Sequence, residues 1–468
     1  MNHKLPAILI FIFLTGNLLV LHSCKKDSFI TSADAFLFTS TDSLHFDTVF
    51  TTIGSVTQSF KIFNPNNQKL RINRLELAGS ASSFFNLNAD GSPGTSFSNI
   101  DINANDSIYV FVSVTINPNS NTLPFLIQDS ILIEYNSNQK YIQLNAYGQN
   151  ANFLNYAIIS RDTVWNNELP FVITGSLTIN AGKILTINKG THIYCNADAP
   201  ILVNGTVKVN GEKYDSTKVI FIGDRLDEPY KNFPGSWPGI FFFETSINNE
   251  LHFADIENAT QGFILQAPSI NSNPKLSLYE CIINNIYDAA IFSVNSSVYA
   301  QNCLISNCGG SNIHLMGGRY NFLHCTVASY SHNFLNHTSP VLSITDQSID
   351  NMIFSVNANF TNCILYGESG LFIDEISLAK YGSDFNADFK NIFYKGSESP
   401  LATYTNSIQN QDPQFLNIDI EHNIFDFHLQ SASPCINAGA ETGIITDLDE
   451  NSRNFLLNAP DIGCYEFQ

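Results

Sequence analysis

Between residues 46 and 150 apolar and polar positions alternate with a period of two. In SIYVFVSVTI, Ile108, Val110, Val112, Val114 and Ile116 fall on one face, and Ile131, Ile133, Ile142 and Leu144 repeat the pattern. Turn-forming clusters (NPNN, ADGSPG, NPNSN and NSNQ) separate the runs. Several short alternating strands in about 100 residues predict a β-sandwich, Ig-like in architecture, although no Cys…Trp…Cys signature accompanies them. Residues 24–45, from a cysteine through a polar stretch without sustained period, read as a tether.

From about residue 160 to the end at 468 the pattern changes to very short strands broken by Gly or Asn. Leu177-Thr-Ile179 repeats as Ile201-Leu-Val203 after 24 residues, and Leu185-Thr-Ile187 as Val207-Lys-Val209 after 22. Cys281, Cys303 and Cys325 are likewise 22 apart, in YECIINN, QNCLISN and LHCTVAS. Such a period predicts a solenoid of stacked coils, a parallel β-helix. Equivalent positions then lie about 4.8 Å apart, and an inward position becomes a ladder. The expected ladder runs from Phe253 through the three cysteines to Cys363 and Ile392, with a longer coil between Cys325 and Cys363. Its thiols are expected to be reduced and buried, because free Cys packs as a small hydrophobe and parallel Cβ vectors do not converge on a disulfide. Cys308, Cys435 and Cys464 lie off the ladder.

Composition narrows the function. Only 14% of residues are charged, against the usual quarter. With 22 Lys+Arg against 42 Asp+Glu, the formal net charge is −20. Nucleic acid is therefore not an expected partner, and anionic polymers would be repelled. At the N-terminus, MNHK precedes the apolar run LPAILIFIFLTGNLLVL, followed by Leu21-His22-Ser23-Cys24. Residues 1–23 resemble a bacterial lipoprotein signal peptide, with Leu21 three residues before Cys24 and small Ser23 before it. His22 departs from that pattern. The resemblance implies cleavage before Cys24, lipidation of Cys24, and a membrane as partner through that anchor. Lys25-Lys26-Asp27 is only partly similar to a surface-export signal.

Four stretches resemble Bacteroidota lipoproteins with a right-handed parallel β-helix of the pectin-lyase-like type. They are HFDTVFTTIGSVTQSFKIFNPN, VNGTVKVNG running into GDRLDEPYKNFPGSWPGIFF, the cysteine ladder, and the C-terminal DPQFLNIDIEHNIFDFHLQSASPCINAGA…DLDENSRN…APDIGCYEF. The last resembles a choice-of-anchor Q segment in Ser433-Pro434-Cys435-Ile436 and Asp461-Ile462-Gly463. It departs from that pattern at Glu450, where Gly is usual, and at Cys464. The resemblance implies an all-β chain, an Ig-like β-sandwich followed by a right-handed parallel β-helix, in the cell envelope, at the outer membrane. It implies no established reaction.

Candidate chemistry is sparse. Asp255 and Glu257 share one side of a strand, but with Ile283, Ile305 and Val327 opposite Asp255 they gain no stacked carboxylate partner for acid–base work. The loop GDRLDEPYKNFPGSWPG gathers Asp227, Glu228, Tyr230 and Trp237. An aromatic beside carboxylates is a glycan-contact pattern, and the same residues also suit a lid with Trp237 beneath it. Pro234, Gly235, Pro238 and Gly239 bracket the ring and favour the lid. Asp447-Leu-Asp449-Glu-Asn451 begins like a calcium loop but has Ser452 where Gly is needed. Asp447, Arg453 and Asp461 are instead expected to make turn and salt-bridge contacts. No metal or cofactor motif is present, and neither is expected. The expectation is a lipid-anchored binding or structural protein whose partner is a polysaccharide or another envelope component. The alternative is a polysaccharide lyase or glycoside hydrolase of the same fold.

Overall fold

A computed structural model describes residues 28–79, 83–368, 374–382, 384–453 and 458–468; Cys24 and the expected signal segment lie outside them. The chain divides into two units, Met1–Asn150 and Ala151–Gln468.

The first unit has two five-stranded sheets around one core. One contains Gln58–Asn64, Asp106–Val114 and Phe85–Ala89, and the other Ser43–Phe50, Asn138–Gln149, Phe125–Tyr135 and Leu70–Leu77. Ile108, Val110, Val112, Val114 and Ile116 are all buried, as are Ile131, Ile133, Ile142 and Leu144. Strand structure starts earlier than the alternation suggested. Phe38–Thr39 and the start of Ser43–Phe50 lie in the stretch expected to be tether, and Ala35, Leu37 and Leu44 are already core residues. Their apolar positions are split by the turn at Ser40–Asp42, so no sustained period appears there.

The second unit is built on a parallel sheet of 26 short strands, each pairing with its counterparts in the coils before and after it. Leu177 pairs with Ile201 and Leu185 with Val207, the offsets visible in the sequence. Ile282, Leu304, Thr326, Ile364 and Phe393 follow one another in register, which places Cys281, Cys303, Cys325, Cys363 and Ile392 in one inward file. The member before Cys281 is Ala254 and not Phe253, because Asp255 pairs with Ile282.

Phe253 occupies the turn position just ahead of the file. There Phe253, Glu280, Asn302, His324, Asn362 and Asn391 all have φ between 45° and 56°. That left-handed region is costly for most L-residues and least so for Asn, which explains the recurring Asn before the ladder residue. The turn is hydrogen-bonded to the next coil: Asn302 N–H donates to Leu323 O at 3.0 Å, and Thr326 N–H donates to Cys303 O at 2.9 Å.

The turn side chains also hold the C-terminal segment against the stack. Asn391 Nδ2 donates to Ala438 O at 3.0 Å, Asn362 Nδ2 to Ala440 O at 2.7 Å, and Asn302 Nδ2 to Thr446 O at 2.9 Å. His324 Nε2 meets Thr442 Oγ1 at 2.9 Å. The segment therefore runs back along the coils in reverse order.

All eight described cysteines are buried free thiols, Cys308, Cys435 and Cys464 included. Burial raises the Cys281, Cys303 and Cys325 thiols well above their usual range, which suppresses the reactive thiolate. Cys303→Ala should lower unfolding free energy by about 1–2 kcal/mol, the scale of a small core truncation. In the native protein the ladder thiols should resist a maleimide until the chain unfolds. Labelling at the rate of an exposed thiol would contradict this packing.

Candidate functional site

The loop singled out by the sequence is internally paired. Arg225 grips Asp227 with two hydrogen bonds of 2.7 and 2.8 Å, and its guanidinium lies 4.2 Å from the Tyr230 ring centre. The Arg225 bonds hold the Asp227 carboxyl below its ordinary range. Glu228 is paired with Lys231 at 2.5 Å. Trp237 is fully buried in the core of the coils, its indole N–H donating to Glu257 O at 2.8 Å. Trp237 is thus corrected as a sugar-stacking residue, since neither ring face reaches solvent. The sharp return after it needs Gly239, at φ 118°, where a Cβ would lie 1.9 Å from Gln261 O. Asp227 and Glu228 are engaged with cations of the same loop. Of the four residues, Tyr230 alone is both aromatic and exposed.

Asp255 belongs to an outward file whose later members are mainly apolar, and Glu257 to a separate file, in which it pairs with Asn284. Asp255 is followed by Ile282, Leu304, Thr326, Ile364 and Phe393; Ile283, Ile305 and Val327 belong to the adjacent inward file. The C-terminal segment covers this outward file with Phe415, Phe427, Cys435, Ile462 and Cys464. Burial raises the Asp255 carboxyl to about 6, opposed by Lys218 at 3.5 Å. Nearby, His428 bridges Asp449 at 2.8 Å and Asp426 at 2.6 Å, and its ring stacks on Tyr465. The Asp449 hydrogen bond, reinforced by Asp426, raises His428 to about 9. Arg453 pairs with Glu466 at 2.6 Å, rather than with either aspartate named from the sequence. Asp447 instead receives the backbone N–H groups of Asp449, Asn451 and Glu466, and Asp461 those of Asn437 and Phe467. These groups fasten the covering segment.

The open concavity lies elsewhere. A groove of about 970 Å³ runs over the strands Ile291–Gln301, Ile313–Leu323 and Val356–Thr361. Its floor carries Tyr299, Asn321 and Asn359 in one register file and Ser297, Arg319 and Asn357 in the next. Segments around 268–274 and 353–355 wall it. The first wall is tied down by Lys275, a fully buried residue whose Nζ donates to the carbonyls of Gln266, Phe243 and Glu244 at 2.7, 2.8 and 3.2 Å. Burial lowers its pKa to about 8. At Gly318, φ 99°, the strand approaches its neighbour so closely that a Cβ would lie 2.2 Å from Ser296 O. A second depression of about 450 Å³, lined by Lys208, Glu250 and Tyr279, shares Asn273 and Pro274 with the groove and extends the polar surface toward earlier coils. Among the described residues lining the large groove there is no carboxylate, and Arg319 is its one charge.

No family model matches the chain, and no curated protein matches it. Among solved structures, a family 123 glycoside hydrolase from Clostridium perfringens, described for glycolipid glycan hydrolysis, shows 8% identity and a TM-score of 0.19 over 24% of this chain and 25% of that chain. An ASH/PapD-like domain of human CEP192 shows 10% identity and a TM-score of 0.17 over 28% of this chain and 93% of that chain. This chain thus spans about a quarter of the hydrolase's length, and neither likeness carries an argument here.

The groove residues belong to files that read in the sequence as ordinary solvent-facing alternation. The one cue was Arg319 behind Gly317-Gly318, an isolated arginine at a strand bend. For the loop, burial makes a definite prediction. Trp237→Ala should destabilise the protein by about 3–5 kcal/mol, as truncation of a large buried aromatic does, in a denaturant melt. An unchanged midpoint would show that the ring is not part of the core.

Proposed function

We propose that this chain is a lipid-anchored cell-envelope protein of the Bacteroidota kind, with an Ig-like sandwich and a right-handed parallel β-helix. Its second unit binds a polysaccharide along the groove over Tyr299, Asn321 and Asn359. The groove carries the binding reading. It is long, open and lined by amide, hydroxyl and phenol groups that recur at the coil spacing of about 4.8 Å. A chain of hydroxylated rings offers donors and acceptors at every residue without net charge, which suits such a lining. Nucleic acid would bring a phosphate at every step to a protein of net charge −20. Glycoside hydrolysis needs two carboxylates about the scissile bond, and none lines this groove. Binding without cleavage is therefore the reading it supports. The anchor rests on the apolar run ending in Leu21-His22-Ser23-Cys24.

The soluble protein lacking residues 1–24 should bind members of an array of neutral polysaccharides. Asn321→Trp, which fills the groove floor, should weaken that binding at least tenfold. Its melting temperature should hold, since surface substitutions stay within about 0.5 kcal/mol. A parent protein that binds no array member sinks the reading, and an unaffected variant moves the site elsewhere. Separately, Cys24→Ala in the full chain should abolish incorporation of labelled fatty acid; labelling that persists would remove the anchor.

A further inference from the structure

Arg319 differs from four of the chain's other five arginines. Arg71, Arg74, Arg225 and Arg453 each hold a carboxylate, Asp101, Glu134, Asp227 and Glu466 respectively. Arg319 is exposed on the groove floor and makes no ion pair or side-chain hydrogen bond among the described residues. Its register neighbours, Ser297 and Asn357, are neutral. Beside it, the buried Ser296 hydroxyl lines the same groove and lacks a hydrogen-bond partner. A chain with 42 acidic residues against 22 basic ones has left one guanidinium unneutralised in this groove. Guanidinium is the side chain best shaped to grip a planar or tetrahedral oxyanion through two hydrogen bonds.

We propose that Arg319 receives a single anionic substituent, a carboxylate or a sulfate ester, on the polysaccharide that occupies the groove; this rests on the groove reading above. One cation among amides and hydroxyls suits sparse charge on a neutral backbone, because a uniformly charged polymer would place its remaining anions against uncompensated acidic surface. Tyr299, Asn321 and Asn359 contact the backbone, and Arg319 selects the decorated residue.

The test uses matched oligosaccharides: neutral glucan, xylan, mannan and galactan fragments, and the same fragments bearing one uronic acid or one sulfate. Calorimetry should show the singly charged member of a bound pair favoured by about tenfold, the scale of one charge-assisted hydrogen bond. Arg319→Gln should erase that preference, bringing the charged and neutral members of the pair to the same affinity. Whether the carboxylate or the sulfate member gains more identifies the substituent. Neutral binding with no preference for either charged member overturns the role of Arg319 and leaves the groove reading standing. A preference that survives Arg319→Gln also overturns it. Failure of every fragment, neutral and charged, overturns the groove reading and this inference with it.

Discussion

Backbone pairing between successive coils is the constraint on which the second unit depends. Each short strand satisfies its N–H and C=O groups on the coils above and below it, and leaving such groups unpaired in the interior would cost about as much as a lost hydrogen bond each. Pairing in register requires every coil to turn at the same place. The left-handed residue at 280, 302, 324, 362 and 391 meets that requirement, and its N–H bonds the next coil. Once the turn is fixed, the residue after it must point inward, and Cys281, Cys303, Cys325 and Cys363 follow as a consequence. A coil can lengthen between its fixed turns without disturbing the stack. The coil from Cys325 to Cys363, an offset of 38 residues, does so, and residues 353–355 of that longer coil form one wall of the groove.

The outward files of the same coils meet two fates. The file from Ile282 to Phe393 is mainly apolar and is buried under the C-terminal segment. Asn302, Asn362 and Asn391 direct that burial by bonding the segment's backbone from the turns. One set of residues thus sets the coil period and seats the cover. His428, held between Asp426 and Asp449, ties two parts of the cover to each other. Its folded pKa of about 9 lies above the usual histidine value, so its contribution is fully present below about pH 6.5 and is lost as pH rises through about 9. Asp449, held below its usual range by the same bond, contributes above the ordinary carboxylate range and loses that contribution in acid. The clasp is strongest between those limits. The file from Tyr299 to Asn359 is polar, remains uncovered, and becomes the groove floor.

The sequence revealed what repeats. Offsets of 22 and 24 residues identified the stacking, and the recurring cysteine located an inward position to within the described register. The slip at Phe253 arose because an aromatic at that point reads as core, whereas Phe253 takes the left-handed turn and leaves the inward place to Ala254. Trp237 was legible as a lid residue from its flanking Pro and Gly, but its bond to Glu257 O was not, since that pairing depends on the next coil. Arg453 was matched to nearby aspartates by charge, and the chain turns it toward Glu466. The groove was least legible. Its walls come from segments some 80 residues apart, brought together by the stacking, and its floor residues are the Ser and Asn expected on any solvent-facing strand.

Charge distribution joins the groove to the whole chain. With a net charge of −20, the surface field repels a dense polyanion at distances up to the Debye length, about 8 Å in physiological salt. Inside the groove the balance reverses locally, because its lining has no carboxylate and holds the unpaired Arg319. A polymer approaching this surface meets repulsion in proportion to its total charge. On the proposed reading a seated polymer gains only from the one anion that reaches Arg319. Under the proposed groove reading those two effects select in opposite directions on charge number, and together they favour a neutral backbone with a solitary charge.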